Sequence, residues 1–558
     1  MSLKVTSYIY ANTYQIITNL MKTLINSDYT LAKISKTSKN SADVNIHLPQ
    51  IAIPKINIKQ NSTHLTGYFL DLQPSQPTDI ETILNWIKHS EWEMFSSLNA
   101  KFLFFYHNQA TGQFTAITDM YATFPLFWIY QNDHYLLSTH IPILLREFKQ
   151  LTIDSNILLQ LISRSHGFDL QTLLKQVQQL PPSSIFTITN DNQTLISSYL
   201  FHKTTEEIPQ IHEFKQFNDQ FFQTLGSVIN DYMYATNFNF SCELSAGLDS
   251  TLVASFLKQQ TKTPFNCITY DNPPPHNSQN PKIIQQFSQK YQLNAIQVET
   301  EPDSIRNICS FTPQYPHPID HYLAHQTCKK IHSHSKQYIF TGHGGDELFD
   351  AKPLLKTYQY TPYVYFFNQL KKQNRGLNHI LSINGTDILY NKKKYEEASY
   401  FPQLQSSSYL EVMQDSFWYR WQFDRWYLSP LADIRMIKLS QQYQPHTTQV
   451  YTKSQFWQQS PNKIHLPQQY SPNNRQNYAY SLQQAFINER SYICQLLSES
   501  TLSNTGLFNI PQIITDFKNN LIEKYINTRD DTMAYLLFLL KAETYIQSLS
   551  QSFNLQFE

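Results

Sequence analysis

The stretch FSCELSAGLDSTLVASF, from Phe240 to Phe256, places Gly247 in a chain that rarely uses glycine. The chain has 558 residues and only 11 glycines. A second stretch, TGHGGDELF from Thr341 to Phe349, holds three more. A chain this poor in glycine keeps those that backbone geometry or close approach of a ligand requires. The two stretches are therefore predicted to line one ligand site.

The segments around these stretches alternate between short apolar strands and helices. They are, in order, FNFSCELS, STLVASFLKQQ, PFNCITYD, PKIIQQFSQKYQ, NAIQVET, YLAHQTCKKIHSHS and QYIFTG. Such alternation predicts a parallel, doubly wound sheet, which binds ligands at the carboxyl ends of its strands. Both glycine stretches follow a predicted strand, and beyond Leu354 the pattern is mostly helical.

The first two hundred residues show a different pattern. HLTGYFLDLQ, KFLFFYHNQATGQFTAITDM and PLFWIYQNDHYLLSTH alternate apolar and polar residues around turn signals, which predicts an antiparallel sheet. A helix is predicted from Ile80, behind a capping Asp79. The polar stretch from Ser198 to Pro209 predicts a domain boundary. We therefore divide the chain into residues 1–205 and 206–558.

The loop LSAGLDST has the chemistry of an anion site, because it combines hydroxyl groups with the free amides of a helix start. It is neither a Walker A loop nor a dinucleotide fingerprint. Asp249 would repel a phosphate directly, so a bridging Mg²⁺ is expected. If the two strand ends are adjacent, Asp346 would share that metal. The alternative for either stretch alone is an ordinary turn with a capping aspartate.

These residues carry a resemblance. LSAGLDST resembles the SGGxDS loop of the PP-loop ATP pyrophosphatases, and TGHGGDELF is similar to the second signature of the asparagine synthetase family. LTGYFLDLQ and TAITDMYATFPLFWIY resemble that family's glutamine-amidohydrolase sheet, and YLSPLADIRMIKLSQQY its PFLD stretch. The resemblance implies an α/β fold: a glutaminase-like α+β sheet domain, then a doubly wound parallel-sheet synthetase domain with a largely helical C-terminal part.

The same resemblance implies an activity. ATP would activate a substrate carboxylate as an acyl-adenylate, pyrophosphate would leave, and an amine would attack to form an amide. The implied cofactors are ATP and Mg²⁺, with Asp249 and Asp346 as metal ligands. The implied nucleotide-binding residues are Leu244, Ser245, Gly247, Asp249, Ser250, Thr251, Gly342, Gly344 and Gly345.

Several residues differ from the family pattern, and these differences restrict the reactions that are expected of the chain. Ser2 stands where a glutaminase has its nucleophilic cysteine, so glutamine hydrolysis is not expected. His343 resembles the corresponding residue of lasso-peptide macrocyclases and is a candidate base, the alternative being a histidine that only bonds the turn. The family's lysine is missing after Pro467, and Arg475 is the nearest cation. Ala246 replaces a second loop glycine.

Three hypotheses follow. In the first, the chain is a macrocyclase that joins the N-terminal amine of a ribosomal precursor peptide to an Asp or Glu side chain, alongside a leader peptidase and a leader-binding protein. In the second, it is an asparagine-synthetase-like or β-lactam-synthetase-like ligase that uses ammonia or a small-molecule amine. In the third, it is an idle scaffold, against which the retained Asp249 and Asp346 argue.

Bulk properties exclude other classes. Basic and acidic residues both number 43, so neither a nucleic-acid nor a membrane-surface partner is expected. Five scattered cysteines and the absence of an apolar span or signal sequence predict a cytoplasmic protein with reduced thiols. Histidines 317, 321 and 325 lack further ligands for zinc. The aromatic run from Phe417 to Tyr427 favours core packing over a peptide cleft.

Overall fold

The computed structural model describes most of both predicted domains. The described residues are 31–38, 41–48, 53–162, 172–188, 194–199, 210–245, 247–271, 280–299, 304–310, 325–345, 348, 380–382, 384, 425–443, 479–525 and 532–558. The boundary drawn between residues 205 and 206 falls outside these ranges and stays a prediction.

Two antiparallel sheets form the N-terminal part. One has the strand order β10-β7-β8-β1-β2, and the other β12-β11-β6-β5-β4-β3. The strands are β1 Leu31–Ser38, β2 Ser41–His47, β3 Lys55–Gln60, β4 Thr63–Asp71, β5 Ala100–Asn108, β6 Gln113–Thr118, β7 Phe127–Gln131, β8 His134–Ser138, β9 Gln150–Ile153, β10 Gln178–Gln179, β11 Ser184–Ile188 and β12 Thr194–Ser198. Strand β9 lies outside both sheets.

Turn chemistry fixes the predicted hairpins. Asn132 and Asp133 both have positive φ, 51° and 59°, and join β7 to β8 by a two-residue turn. Asparagine and aspartate tolerate this conformation better than other side chains, which is why the turn falls there. Gly112, at φ 69°, allows the corresponding reversal between β5 and β6. Both hairpins were predicted from sequence and are confirmed.

The described residues of the N-terminal part also form three helices, α1 Ile80–His89, α2 Ile141–Leu144 and α3 Ser155–Ile162. Asp79 caps α1 as predicted, since its carboxylate accepts the Thr82 amide at 2.7 Å. The helix ends where Ser90 turns left-handed, at φ 58°. A short 3-10 helix follows over Trp92–Ser97.

A five-stranded parallel sheet forms the second part, with the order β15-β14-β13-β16-β17. Its strands are β13 Phe240–Glu243, β14 Asn266–Asp271, β15 Asn294–Glu299, β16 Tyr338–Phe340 and β17 Trp426–Leu428. The helices of this part are α4 Phe214–Ala235, α5 Leu248–Gln260, α6 Asn280–Tyr291, α7 Ile305–Ser310, α8 His325–His334 and α9 Ile434–Gln442. The chain proceeds outward from β13 to β15 and then crosses to β16, so the topological switch point lies between β13 and β16. The predicted fold class is confirmed.

The C-terminal part is mainly helical among the described residues, as predicted. It contains α10 Ala479–Asn488, α11 Arg490–Ser498, α12 Ile510–Lys518 and α13 Thr532–Ser550. A last strand, β18 Asn554–Phe557, was not predicted and pairs in parallel with β9. This pairing joins the end of the chain to its N-terminal part.

Two predictions about the whole chain can be compared with the described residues. No helix among them is long and apolar enough to cross a bilayer. The four cysteines whose side chains are described, Cys242, Cys267, Cys309 and Cys494, form no disulfide.

Candidate functional site

The first glycine stretch forms a loop at the carboxyl end of β13, which we call the first loop, Leu244–Thr251. The Leu244 amide still bonds to β14, donating to the Ile268 carbonyl oxygen at 2.9 Å. The chain then leaves the sheet and enters α5, whose first turn contains Asp249. Gly247 is the residue before the helix and has an extended backbone. The predicted strand, loop and helix are confirmed, except that α5 begins at Leu248 rather than Ser250.

The Ser250 hydroxyl organises the first loop. It accepts the Ser245 amide at 3.1 Å and donates to the Gly247 carbonyl oxygen at 3.2 Å. The hydroxyls of Ser245 and Ser250 lie 3.1 Å apart. Ser250 and Thr251 are buried, whereas Ser245 is exposed. The buried Ser250 hydroxyl therefore holds the first loop in shape, and the exposed Ser245 lies beside the start of α5. The helix macrodipole favours an anion at this position.

The second glycine stretch forms a loop at the carboxyl end of β16, which we call the second loop, Thr341–Gly345. Strands β13 and β16 are neighbours, with Cys242 opposite Phe340 in the register. The two strand ends are therefore adjacent, which is the condition that the sequence analysis set for a shared site. The two loops meet at the topological switch point, where open α/β sheets bind their ligands.

Glycines let the two loops touch. A Cβ on Gly342 would lie 2.7 Å from the Asp249 carbonyl carbon and 2.8 Å from the Asp249 Cβ. A Cβ on Gly345 would overlap the Asp249 carboxyl group itself. Side chains at these two positions would separate the loops, since real Cβ atoms do not approach so closely. The role of both glycines in nucleotide binding stays a prediction, and the structure shows in addition that they pack against Asp249.

A third strand end supports the second loop. The turn Ser429–Asp433, which we call the supporting turn, follows β17 and leads into α9. The Thr341 amide donates to the Leu428 carbonyl oxygen at 2.9 Å, and the Thr341 and Ser429 hydroxyls are 3.0 Å apart. Gly344, at φ 91°, lies so close to Ala432 that a Cβ there would be 2.8 Å from the alanine methyl. Three neighbouring strand ends therefore build one site.

His343 is exposed on the second loop. Its amide donates to the Thr341 hydroxyl at 3.4 Å. The position is compatible with contact to a bound substrate. Asp346, Arg475 and Ala246 lie outside the described residues, so the shared metal and the replacement of the family lysine stay predictions.

Sequence reasoning missed Glu243, the last residue of β13. Burial raises the pKa of this carboxyl to about 7, against the opposing effect of a hydrogen bond from the Tyr427 hydroxyl. The Glu243 side chain is partly buried, at the carboxyl edge of the sheet beneath the first loop. An acidic residue at the end of a buried apolar strand was the available signal.

Helix α8 carries a second titratable group, His332. Its side chain is buried, and burial followed by the charge of Arg425 lowers its pKa to about 3. The imidazole is therefore neutral at physiological pH. The histidines 317 and 321 lie outside the described residues, and His325 is described only in its backbone. Among the described side chains no group of three metal-binding residues occurs.

The donor set fits the cofactors that the resemblance implies. Asp249 offers a hard oxygen ligand of the kind that Mg²⁺ prefers, and the start of α5 offers amides to a phosphate. The two glycines beside the Asp249 carboxyl leave open backbone where larger side chains would intrude.

Comparison with known proteins agrees with this geometry. Residues 229–464 match the asparagine synthase family, and residues 69–200 match a glutamine amidotransferase domain. The first range includes both loops and the supporting turn. No curated protein matches the chain.

Two solved structures resemble the chain weakly. One is the glutamine phosphoribosylpyrophosphate amidotransferase from B. subtilis complexed with ADP and GMP, with 8% identity, a TM-score of 0.21, and coverage of 49% of this chain and 84% of that one. The other is described as the allosteric regulatory enzyme of purine biosynthesis, with 8% identity, a TM-score of 0.21, and coverage of 50% and 76%. These similarities are too weak to assign a function.

Proposed function

Because residues 69–200 match a glutamine amidotransferase domain and residues 229–464 the asparagine synthase family, we propose that the chain is an ATP-dependent amide ligase that releases AMP and pyrophosphate. The observation that carries the proposal is the contact between the two loops, in which Gly342 and Gly345 pack on Asp249. A turn with a capping aspartate would need no such partner loop from a strand about a hundred residues further along the chain.

The first loop would bind the phosphate chain of ATP. The exposed Ser245 hydroxyl and the first amides of α5 donate hydrogen bonds to an anion, and the buried Ser250 hydroxyl keeps the loop in shape. Asp249 and, by the resemblance, Asp346 would hold Mg²⁺, which when bound neutralises charge on the phosphates. This arrangement favours departure of pyrophosphate after attack by a carboxylate at the α-phosphorus.

We further propose that the amine is the N-terminus of a precursor peptide and the carboxylate an Asp or Glu side chain of the same peptide, so that the product is a lasso-type macrocycle. Three features support this: His343 in the second loop, its exposure, and Ser2 in place of a nucleophilic cysteine. The α-amine has an ordinary pKa of about 7.7–8.0, so at neutral pH much of it is protonated and a base assists. His343 is that base in the proposal.

The second candidate is a ligase for ammonia or a small-molecule amine, acting as an asparagine-synthetase-like or β-lactam-synthetase-like enzyme. The match of residues 69–200 to a glutamine amidotransferase domain favours it, because such domains supply ammonia. The two candidates share adenylation and differ in the nucleophile.

The proposal is tested by incubating the protein with ATP, Mg²⁺ and synthetic peptides that have a free N-terminus and one Asp or Glu. Parallel reactions contain aspartate with ammonium or small amines. AMP with pyrophosphate is expected, together with a peptide product that has lost one water; ADP would contradict the ligase assignment. Amide formation only with ammonium or small amines would contradict the macrocyclase and favour the second candidate.

Two variants test the roles proposed for Asp249 and His343. Asp249→Asn is expected to abolish AMP formation, whereas Asp133→Asn, in the exposed β7–β8 turn, should not change it. His343→Ala should slow amide formation by about 10²–10⁴-fold and spare pyrophosphate exchange. His89→Ala, at the exposed end of α1, is its control. Equal loss of both steps in the His343 variant would place this residue in the nucleotide site or the fold.

A further inference from the structure

The N-terminal part of the chain contacts the site through the supporting turn. The Tyr121 hydroxyl donates to the Ala432 carbonyl oxygen at 2.6 Å. The Asn99 side-chain amide donates to an Asp433 carboxylate oxygen, also at 2.6 Å. These bonds join residues more than 300 positions apart in the chain. Both end on the turn that packs against the second loop.

The N-terminal side of this contact is itself rigid. Asp119 follows β6 and is buried, and its carboxylate accepts the amides of Tyr121 at 2.9 Å, Thr123 at 3.1 Å and Phe102 at 3.0 Å. Ala122 has a positive φ of 46°, which the turn imposes on a residue with a side chain. The turn that carries Tyr121 is therefore tied to two strands of one sheet.

The other side of the contact is equally constrained. Asp433 caps α9 by accepting the Arg435 amide at 2.8 Å, and it also accepts the Arg435 guanidinium at 2.9 Å. Arg435 reaches Asp231 of α4 at 2.5 Å. Asn99 thus bonds to a carboxylate that is already fixed between two helices of the second part.

A cavity of about 30 Å³ lies between these hydrogen bonds, lined by the buried Lys101 from β5 and by Ile434 from α9. It has room for about two water molecules. Side-chain packing therefore does not fill this region. Apolar packing also holds the supporting turn, since Leu431 belongs to a core shared with Phe124 of the N-terminal part, and the bonds from Tyr121 and Asn99 add polar contacts at the edge of this core.

The supporting turn in turn determines where the second loop lies. The Ala432 methyl occupies the space beside Gly344, Ser429 bonds to Thr341, and Gly345 packs on Asp249. A continuous series of contacts thus runs from the N-terminal sheet to the carboxylate of the first loop.

We propose that the N-terminal part acts as a positioning domain, in which Tyr121 and Asn99 hold the supporting turn so that the second loop stays against Asp249. They are positioning residues, since they touch the supporting turn and not the loops of the site. The structural statement stands without any enzymatic activity. Its catalytic consequence rests on the proposed function.

The test uses hydrogen exchange in the full chain. Tyr121→Phe removes one hydroxyl and keeps the ring. The amide exchange rate should rise about tenfold in the peptides that cover residues 341–345 and 429–433. A change of this size is expected when one hydrogen bond is lost. Peptides from β14 and β15 should be unchanged. Tyr130→Phe is the matched control, because the exposed Tyr130 hydroxyl bonds only within its own hairpin, to Asp133 at 3.3 Å.

Asn99→Ser provides a second, independent variant, and it should produce the same local pattern. Unchanged exchange at 341–345 in both variants, or an equal rise in every peptide, would overturn the proposal. Where turnover is measured, Tyr121→Phe should lower kcat for AMP release about tenfold and leave KM for ATP unchanged. A ligase that is equally active in this variant would overturn the catalytic part, while absence of any ligase activity would count against the proposed function alone.

Discussion

Glu243→Gln tests the electrostatics beneath the site. Glu243 is the last residue of β13, and its carboxyl accepts a hydrogen bond from the Tyr427 hydroxyl of β17. Its pKa is raised from the ordinary 4.5 to about 7, mainly by burial. Below pH 4.5 the carboxyl is neutral in the folded and the unfolded chain. Between pH 4.5 and 7 only the unfolded chain ionises, so stability falls as the pH rises through this window.

The size of the effect follows from the same numbers. The full difference between pKa 4.5 and about 7 corresponds to roughly 3 kcal/mol. Because the side chain is partly exposed, water screens the charge, and we expect about 1–3 kcal/mol. Glutamine has the shape of the neutral acid and does not ionise. The variant should therefore equal the wild type near pH 4.5 and exceed it by this amount at about pH 8.

The measurement is the urea midpoint of both proteins across this pH range. Glu299→Gln, at the exposed carboxyl end of β15, is the matched control and should show no pH-dependent gain. A stability difference that is the same at both ends of the range would refute the reasoning. A Glu243→Gln variant that is less stable than the wild type at about pH 8 would also refute the reasoning. That result would mean that the Tyr427 hydroxyl stabilises an ionised Glu243 carboxylate in the wild type.

Two further predictions concern the glycines and the N-terminus. Gly342→Ala should abolish AMP formation and cost about 1–3 kcal/mol of stability, because the new Cβ would meet Asp249 at 2.7–2.8 Å. Gly226→Ala, within α4, is the control: the closest contact of its Cβ would be the end of the Gln260 side chain, which donates to the Gly226 carbonyl oxygen at 2.8 Å, and AMP formation should not change. Wild-type AMP formation by the Gly342 variant would contradict the loop contact. Finally, no glutamate should be released from glutamine, and release that disappears in Ser2→Ala would overturn this prediction.

The parallel sheet could be predicted because each strand and its helix are neighbours in sequence. The segment from Phe240 to Gln260 contains a strand, a loop and a helix without interruption, so local pattern alone defines them. Strand β17 escaped prediction because two of its three residues, Trp426 and Tyr427, lie in an aromatic run that fits a strand or a helix equally well. Trp426 and Tyr427 are buried, which agrees with the core packing expected for this part of the run.

Contacts between segments that are far apart in the chain could not be predicted from local sequence patterns. Strand β18 pairs with β9 across some four hundred residues, and the choice of partner depends on how both parts of the chain fold. The close approach of Gly342 to Asp249 could be predicted only on the condition that β13 and β16 are neighbours, and the sequence pattern could not show that they are. No sequence pattern indicated that Tyr121 and Asn99 contact the second part of the chain, since a single tyrosine or asparagine near a turn is common.

These contacts would give the range matched to a glutamine amidotransferase domain a role that does not depend on glutamine hydrolysis. The range matched to the amidotransferase domain, residues 69–200, contains Tyr121 and Asn99. Loss of the nucleophile would leave both bonds intact, because neither depends on residue 2. Loss of the domain would instead leave the Ala432 carbonyl and the Asp433 carboxylate without their donors from the N-terminal part, next to the loop that packs on Asp249. A domain in this position can lose its chemistry and still be required by its neighbour, because its polar contacts fix the backbone on which the second site is built.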